Sequence, residues 1–265
     1  MIRFLSLLYI FAAGLSAAFL FSQTPTVTFV QGKVEYVVLD GDKGQKIDDL
    51  EVNSSVLPNH LIATGKGSRT ELQQRNIIWR LGSLSVGKWL SQKRFWLHSG
   101  SSLFCTTKET TLHLSSIDSN ATFVGKGTII IEATSNGGFK FIPLECKGTL
   151  TTLKGGTKEI IEGQMLLVMG NPTEYGNAFD LDLILLLRSS RLVNSFPVPL
   201  PTFDQIGLAI YMQQLKLKGK YDALIGDATS NENLQMWKFG KGKNKKQPGS
   251  PAKAKSFLGG FFTNE

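Results

Sequence analysis

The chain has 265 residues, of which 42% are hydrophobic and 19% are charged. This composition supports a folded core and excludes a chain that is disordered over its whole length. The net charge of +8 first suggests a nucleic-acid-binding protein, but seven lysines lie between Lys238 and Lys255, where no acidic residue occurs. Subtracting these seven and Arg3 from the net charge leaves zero, and a neutral body has no basic surface for phosphate. We therefore expect no nucleic-acid partner.

Residues 1–23 form an apolar leader. Arg3 is followed by apolar and small residues from Phe4 to Phe21, and residues 16–18, Ser-Ala-Ala, match a signal-peptide cleavage site. The sequence predicts a secretory signal peptide. An uncleaved membrane anchor is the alternative, because this run is just long enough to span a bilayer. Export is predicted in both cases.

The chain contains two cysteines, Cys105 and Cys146. Export would place them in an oxidising compartment, where a pair of cysteines can persist as a disulfide. A Cys105–Cys146 disulfide is therefore one prediction. The alternative is two buried free thiols that pack as small hydrophobic side chains.

The region from Val27 to Met169 is a series of short apolar, β-branched segments separated by glycine-rich turns. Residues alternate between apolar and polar in several segments, as half-buried strands require. The pattern predicts a mainly β domain, either a sandwich, a barrel or a β-helix-like coil. The predicted strands are KVEYVVL (33–39), RTELQ (69–73), IIWRL (77–81), RFWLH (94–98), TLHL (111–114), TIIIEA (128–133), FKFIPLE (139–145), TLTTL (149–153) and MLLVM (165–169).

A different pattern begins after Pro172. FDLDLILLLRSSRL (179–192) has acidic residues at its start and arginines at its end, as a helix dipole favours. Its apolar run Leu183–Leu187 is also compatible with a buried strand. Thr202 and Gln205 predict a capping box at the start of a second helix, over residues 203–217.

These patterns predict four parts. They are the leader (1–23), a β domain (24–171), a small α-helical C-terminal appendage (172–237) and a disordered Lys-rich tail (238–265). The tail ends in an apolar FLGGFF segment.

The order of the β segments resembles the FecR domain family of bacterial envelope proteins. The resemblance covers residues 27–170, and it depends on the succession of motifs more than on any one of them. A Thr-Gly-x-Gly-Ser turn is followed by an Arg-Leu-Gly-x-x-Ser turn and later by a Gly-Gln-Met strand. The segments are GKVEYV (32–37), HLIATGKGSRTELQ (60–73), IIWRLGSLSVGK (77–88), LHSGSSLF (97–104), GKGTIIIEATSNGGFKFIPLECKGTL (125–150) and EGQMLLV (162–168).

The resemblance implies a β-sandwich or β-helix-like sensor domain in the bacterial periplasm or cell envelope. The family's founding role is to relay ferric-siderophore uptake to a cytoplasmic sigma factor. Members with that role carry a cytoplasmic helical segment before the membrane span, whereas only residues 1–3 precede the apolar run of this sequence. Residues 146–148, Cys-Lys-Gly, also depart from the Glu-Gly of the pattern. The resemblance therefore implies an interaction module without direct control of a sigma factor.

Residues that could carry chemistry are few and scattered. Four residues have the ligand types of a zinc site but lack its local spacing, namely His98, Cys105, His113 and Cys146. The Asp-Gly-Asp-Lys-Gly segment at 40–44 has only part of a calcium loop, so a solvated hairpin turn is the better interpretation. We expect no metal and no cofactor.

Catalytic motifs are also missing from the sequence. The SLSVG segment (83–87) lacks the first glycine of a nucleophile elbow, and no phosphate-binding loop is present. Trp79, Trp89 and Trp96 could form a platform that stacks against sugars, although aromatic residues on neighbouring strands are more often part of a core. The sequence therefore predicts a protein that is not an enzyme.

Three hypotheses for function follow. The first is a non-catalytic module that binds an envelope protein or senses an envelope signal through its β domain. The second is a structural envelope component, held to anionic polymer or lipid by its Lys-rich tail. The third is a glycan-binding domain that uses the tryptophan cluster.

Overall fold

The computed structural model describes residues 24–40, 44–91, 93–218, 220–225 and 235–239. The predicted leader lies outside the described residues, as do residues 41–43 of the calcium-like segment and the tail after Phe239. The described chain is mainly β, with one large sheet and a few helices near its C-terminal end. The predicted fold class is confirmed.

The large sheet contains fourteen strands. They are β1 (Thr26–Gln31), β2 (Val34–Asp40), β3 (Gly44–Asp49), β4 (Leu61–Thr64), β5 (Arg69–Gln74), β6 (Ile77–Leu81), β7 (Val86–Ser91), β8 (Arg94–Ser99), β9 (Ser101–Ser115), β10 (Asn120–Ala133), β11 (Phe139–Thr152), β12 (Gly156–Glu159), β13 (Gln164–Met169) and β14 (Glu174–Asp180). The helices are α1 (Leu183–Ser189), α2 (Arg191–Asn194) and α3 (Phe203–Leu217). A separate antiparallel hairpin consists of β15 (Tyr221–Ile225) and β16 (Gln235–Phe239).

The sheet divides at β9. One edge of β9 pairs with β10 along its length, whereas the other edge pairs with β6 near its start and with β8 near its end. The first branch continues through β5 to β1, and the second runs through β7, β4 and β2 to β3. The β8–β9 pair is parallel, and the other strand pairs are antiparallel.

A bulge separates the two pairing regions of β9. Gly125 of β10 pairs with Thr110, but Gly127 pairs with Thr106, so residues 107–109 lie opposite the single residue Lys126. Residues 107–109 are exposed. The register of β9 against β10 therefore changes between the part that faces β6 and the part that faces β8.

The two branches enclose the larger of two cores. Trp79 of β6 packs edge-on against Trp89 of β7, with ring centroids 5.7 Å apart, and it stacks on Phe104 of β9 at 6.2 Å. Phe95 of β8 lies against Phe104 at 4.6 Å. All four rings are almost completely buried. We refer to this cluster and its neighbours as the β core.

The second core lies on the opposite face of the central strands, under the helices. Alternation along β9 and β10 directs Leu103 and Ile130 to this side, while Phe104 and Ile129 face the β core. Leu192, Ile206 and other helical residues cover them. Strand β13 and parts of β9, β10 and β11 are thus buried on both faces. We name the second cluster the helical core.

Several predicted elements agree with the structure. The predicted strand at 77–81 and the predicted helix at 203–217 have the observed bounds. The predicted turn at 64–68 is present, with Gly67 in the left-handed region at φ 74° and a Ser68 N–H to Gly65 O hydrogen bond of 3.1 Å. A side chain at Gly67 would meet no atom within 4 Å, so the backbone angle is what favours glycine there.

Other elements differ from prediction. The segment at 139–145 and residues 149–152 of the next predicted segment belong to a single 14-residue strand, β11, because both of its edges are paired and compensate for its internal glycine. Within the predicted appendage, residues 174–180 form strand β14 of the sheet and β15 pairs with β16. Strand β16 continues through Lys238 and Phe239, the first two residues of the predicted disordered tail. The helix predicted over 179–192 is shorter and is interrupted at Ser190.

The predicted capping box at Thr202 is wrong. Thr202 is the N-cap residue of α3, but its side chain makes no capping hydrogen bond. The hydroxyl instead lies 2.5 Å from the hydroxyl of Thr128 in the sheet. Burial at the interface between helix and sheet therefore outweighs the local motif.

Candidate interaction site

The two cysteines do not form the predicted disulfide. Both are free and buried, and Cys105 is part of the helical core whereas Cys146 is part of the β core. They lie on β9 and β11, which are separated by β10, so roughly 10 Å of sheet lies between them. A disulfide needs Cα atoms within about 7 Å and side chains that point toward each other. The alternative of two buried thiols is what the structure contains.

Cys105 belongs to a row of polar side chains that crosses three strands. Thr128 of β10 pairs with Cys105 on one side and with Glu145 of β11 on the other, so the three residues share the face that carries the helices. Thr202 at the start of α3 lies 3.5 Å from the Cys105 sulfur. The row attaches the helix to the sheet by hydroxyl and thiol contacts.

Glu145 is the least satisfied member of this row. Its Oε2 atom is buried and has no hydrogen-bond partner among the described residues. Burial and, to a smaller extent, the neighbouring Glu162 raise the pKa of the Glu145 carboxyl to about 7, although Lys126 and Lys147 act in the opposite direction. Burial also raises the pKa of the Cys146 thiol, which lowers its reactivity as a thiolate. No local pattern in the sequence predicts that Glu145 and Glu162 lie close enough to interact.

The three histidines contact different residues and not one another. His60 contacts the hydroxyl of Tyr36, His98 lies 5.3 Å from the ring of Trp96, and His113 lies 3.1 Å from the Thr122 hydroxyl. The four residues considered for zinc are therefore not brought together. Among the described residues there is no group of three or more potential metal ligands.

The tryptophan cluster is mostly interior. Trp79 and Trp89 are each 1% exposed and belong to the β core. Trp96 is half-buried, its indole N–H donates to Ser116 O at 3.0 Å, and the Lys88 ammonium lies 5.2 Å from its ring centroid. The core interpretation is therefore correct for two of the three, and the third already has a cation over one face.

A buried arginine connects the helical region to the sheet. Arg80 of β6 is 0% exposed, and its Nε donates to Glu71 Oε2 on the neighbouring strand β5 at 2.7 Å. Its Nη atoms donate to the carbonyls of Leu192 at 2.9 Å and Val198 at 2.8 Å. The Phe196 ring lies 4.1 Å from the guanidinium carbon. One side chain thus holds the connection between α2 and α3.

Neighbouring residues complete this network. The Thr28 hydroxyl donates to Glu71 Oε1 at 2.7 Å, and Arg69 Nε donates to the carbonyl of Ser195 at 2.6 Å. The second carboxylate oxygen of Glu71 and the carbonyl of Ser195, in the loop after α2, thereby accept hydrogen bonds as well. An arginine in the apolar segment IIWRL, nine residues after the glutamate of RTELQ, is the sequence signal that could have predicted the pair.

A free strand edge lies at the end of the second branch. Strand β3 pairs with β2 on one side, and no described strand pairs with its other side. The Leu50 N–H donates to Val34 O at 2.8 Å. Because N–H groups alternate in direction along an antiparallel strand, those of Ile47 and Asp49 point away from the sheet. The edge therefore offers main-chain donors and acceptors to another chain.

The side chains around this edge are exposed and mixed in character. Ile47 of β3 is 55% exposed. Lys46 forms a 2.8 Å ion pair with Asp48. Charges of this kind on an edge strand oppose unselective aggregation.

Comparison of the chain with protein-family models, curated proteins and solved structures finds no match. In the part of the chain that the structure describes, no helix has the length and apolar character needed to cross a membrane.

Proposed function

We propose that this chain is a non-catalytic, exported FecR-like module that binds an envelope protein by adding one strand of that partner to the edge of β3. The observation that carries the proposal is the outward direction of the Ile47 and Asp49 N–H groups along an edge that no described strand occupies. Strand addition obtains affinity from main-chain hydrogen bonds and specificity from side chains on alternate positions.

The chemistry of the edge defines the partner strand. Ile47 supplies an exposed apolar contact, and the Lys46–Asp48 ion pair lies on the other face of β3. A partner strand with an apolar residue opposite Ile47 and polar residues opposite the ion pair would match both faces. A partner with a charged residue opposite Ile47 would lose solvation without gaining a contact.

The test is cross-linking and recovery of partners from native bacterial envelope with two variants at one position. Ile47→Pro removes an outward N–H but no N–H that bonds to β2, so the fold is expected to persist. Ile47→Thr keeps the N–H and the β-branched shape. Thermal unfolding of both variants checks that the fold is intact.

We expect the unmodified chain and Ile47→Thr to recover the same few proteins, and Ile47→Pro to lose them. Equal recovery by all three chains would contradict binding at β3. Diffuse recovery that disappears in high salt would instead favour the structural envelope component held by the Lys-rich tail.

A further inference from the structure

Helix α3 has an apolar stripe on the side that faces away from the protein. Leu208, Tyr211, Met212 and Leu215 follow the i, i+3, i+4, i+7 spacing of one helical face. Their exposed fractions are 61%, 57%, 54% and 55% respectively. An exposed helical face with four large apolar side chains is typical of a surface that contacts a partner or a membrane.

The opposite face of α3 is already used. Ile206, Ala209 and Gln213 are buried against the sheet and the other helices. Gln213 fixes the helix by donating from Nε2 to Leu181 O at 2.7 Å and accepting from Leu183 N at 3.2 Å. The stripe therefore cannot turn inward, and it remains on the surface as a row about two helical turns long.

Basic residues adjoin the C-terminal end of the stripe. Lys216, Lys218 and Lys220 are exposed, and Asp204 at the other end is the one acidic residue of α3. Further along the sequence, seven more lysines lie between residues 238 and 255 without any acidic residue. An apolar row with basic residues beside it matches a membrane surface that has anionic headgroups above hydrocarbon.

We propose that the stripe of α3 inserts into the headgroup region of an anionic lipid bilayer. The outer edge of the hydrocarbon would take up Leu208, Met212 and Leu215. Tyr211 would lie at the level of the headgroups, where its ring contacts apolar groups and its hydroxyl forms hydrogen bonds. Lys216, Lys218 and Lys220 would contact the lipid phosphates. The surface is separate from the β3 edge, so the proposal does not depend on strand addition.

The size of the stripe favours a bilayer over a protein partner. Four half-exposed side chains on one helix supply roughly half of the about 800 Å² per partner that a standard protein interface buries. A bilayer has no such minimum, because shallow insertion of one apolar face is enough and nearby lysines add attraction. A second copy of this chain would meet the same shortage of area.

The test is flotation of residues 24–265 with lipid vesicles. Among the described residues, the sheet begins at Thr26 and the two cores begin at Val27, so we expect this chain to keep the described fold without the apolar leader, which would bind lipid by itself. The vesicles contain phosphatidylcholine with about 30% phosphatidylglycerol, or phosphatidylcholine alone. The variants are L208S/L215S, K216Q/K218Q and the control L153S, which removes an apolar side chain that is 81% exposed outside α3.

We expect binding to the anionic vesicles to fall by about tenfold or more in L208S/L215S, since two apolar contacts are lost, and to weaken less in K216Q/K218Q. L153S should bind like the unmodified chain. Full binding by L208S/L215S would overturn the proposal, because the Lys-rich tail alone would then account for attachment. Unchanged thermal unfolding shows that each variant is folded.

A local probe gives an independent reading. In M212C, an environment-sensitive fluorophore can be attached at one site, because Cys105 and Cys146 are both buried. A blue shift of the emission on addition of anionic vesicles supports insertion. No shift with vesicles, together with a shift that grows with protein concentration and a dimeric mass in light scattering, would overturn the proposal in favour of a second copy.

Discussion

The two cores of this protein are held together by different means. The β core is closed by two branches of one sheet and contains a cluster of tightly packed aromatic rings. The helical core is mostly aliphatic, with Phe179 as its buried aromatic ring among the described residues, and one of its walls consists of three helices of 7, 4 and 15 residues. Arg80 supplies one of the polar connections between the two regions, and Thr202 and Arg69 supply others.

This difference indicates which region depends on the other. Helices as short as α1 and α2 are not stable in isolation, so they persist only while the sheet supplies an apolar surface. The β core needs no helical residue to complete its aromatic cluster. We therefore expect the helical region to open before the sheet does, and this order can be tested by changing one region at a time.

The largest effect is expected from Trp79→Ala in the β core. Removal of a fully buried tryptophan should lower the free energy of unfolding by up to about 5 kcal/mol, because contacts to several rings are lost and a cavity remains. Urea unfolding followed by circular dichroism measures the loss. Hydrogen exchange should show that protection falls in both regions. Loss confined to the helices would contradict the dependence of the helical region on the β core.

The next largest effect is expected from Arg80→Met. The substitution leaves Glu71 buried without its ion-pair partner and removes the donor from the carbonyls of Leu192 and Val198, which should cost about 3 kcal/mol. Hydrogen exchange should show loss of protection in residues 183–217, with protection of the β core retained. A uniform loss over the whole chain would show that the two regions unfold as one unit.

A double variant sharpens this result. Arg80→Met with Glu71→Leu removes both charges, and replacing a buried ion pair by apolar residues is often close to neutral. We expect it to regain much of the global stability while the helices remain less protected, since the loop carbonyls still lack their donor. Full recovery in both regions would show that the carbonyl contacts of Arg80 add nothing.

The smallest effect concerns pH and the Glu145 row. Because burial raises the pKa of Glu145 to about 7, the folded protein binds this proton more tightly than the unfolded chain does. The resulting stabilisation is present at low pH and is lost as the pH rises from the ordinary carboxyl range through about 7. Burial raises the pKa of Glu162 as well, which adds to the same trend.

Glu145→Gln should therefore be more stable than the unmodified chain above pH 7, by less than about 1 kcal/mol because the residue is only partly buried. Thermal unfolding between about pH 5 and pH 8 should show a flatter dependence for the variant. Glu159→Gln, a change at an exposed carboxylate on β12, is the control. An equal pH dependence in Glu145→Gln and the control would exclude Glu145 as the titrating group.

Much of the fold could be predicted from sequence because the signals are local. The short apolar, β-branched run IIWRL predicts a strand, and glycine at position 67 marks a turn that needs a left-handed residue. The apolar face of residues 203–217 likewise predicts a helix with its observed bounds. In each case the deciding interaction is made within a few residues of the chain.

The pairing of distant residues was less predictable. Cys105 and Cys146 are two strands apart on opposite faces, and only the strand order, which the sequence does not contain, reveals this. The free edge of β3 follows from the same order. Thr202 shows the converse case, in which a local capping motif is overruled by a buried hydroxyl on another element.

The bulge at residues 107–109 has a consequence for how the chain can vary in length. These three exposed residues lie opposite one residue of β10, between the part of β9 that pairs with β6 and the part that pairs with β8. An inserted or deleted residue here need not shift the pairing of either branch. A tag or label can therefore be inserted at residues 107–109 in the middle of β9, although an insertion inside a strand normally disrupts its pairing.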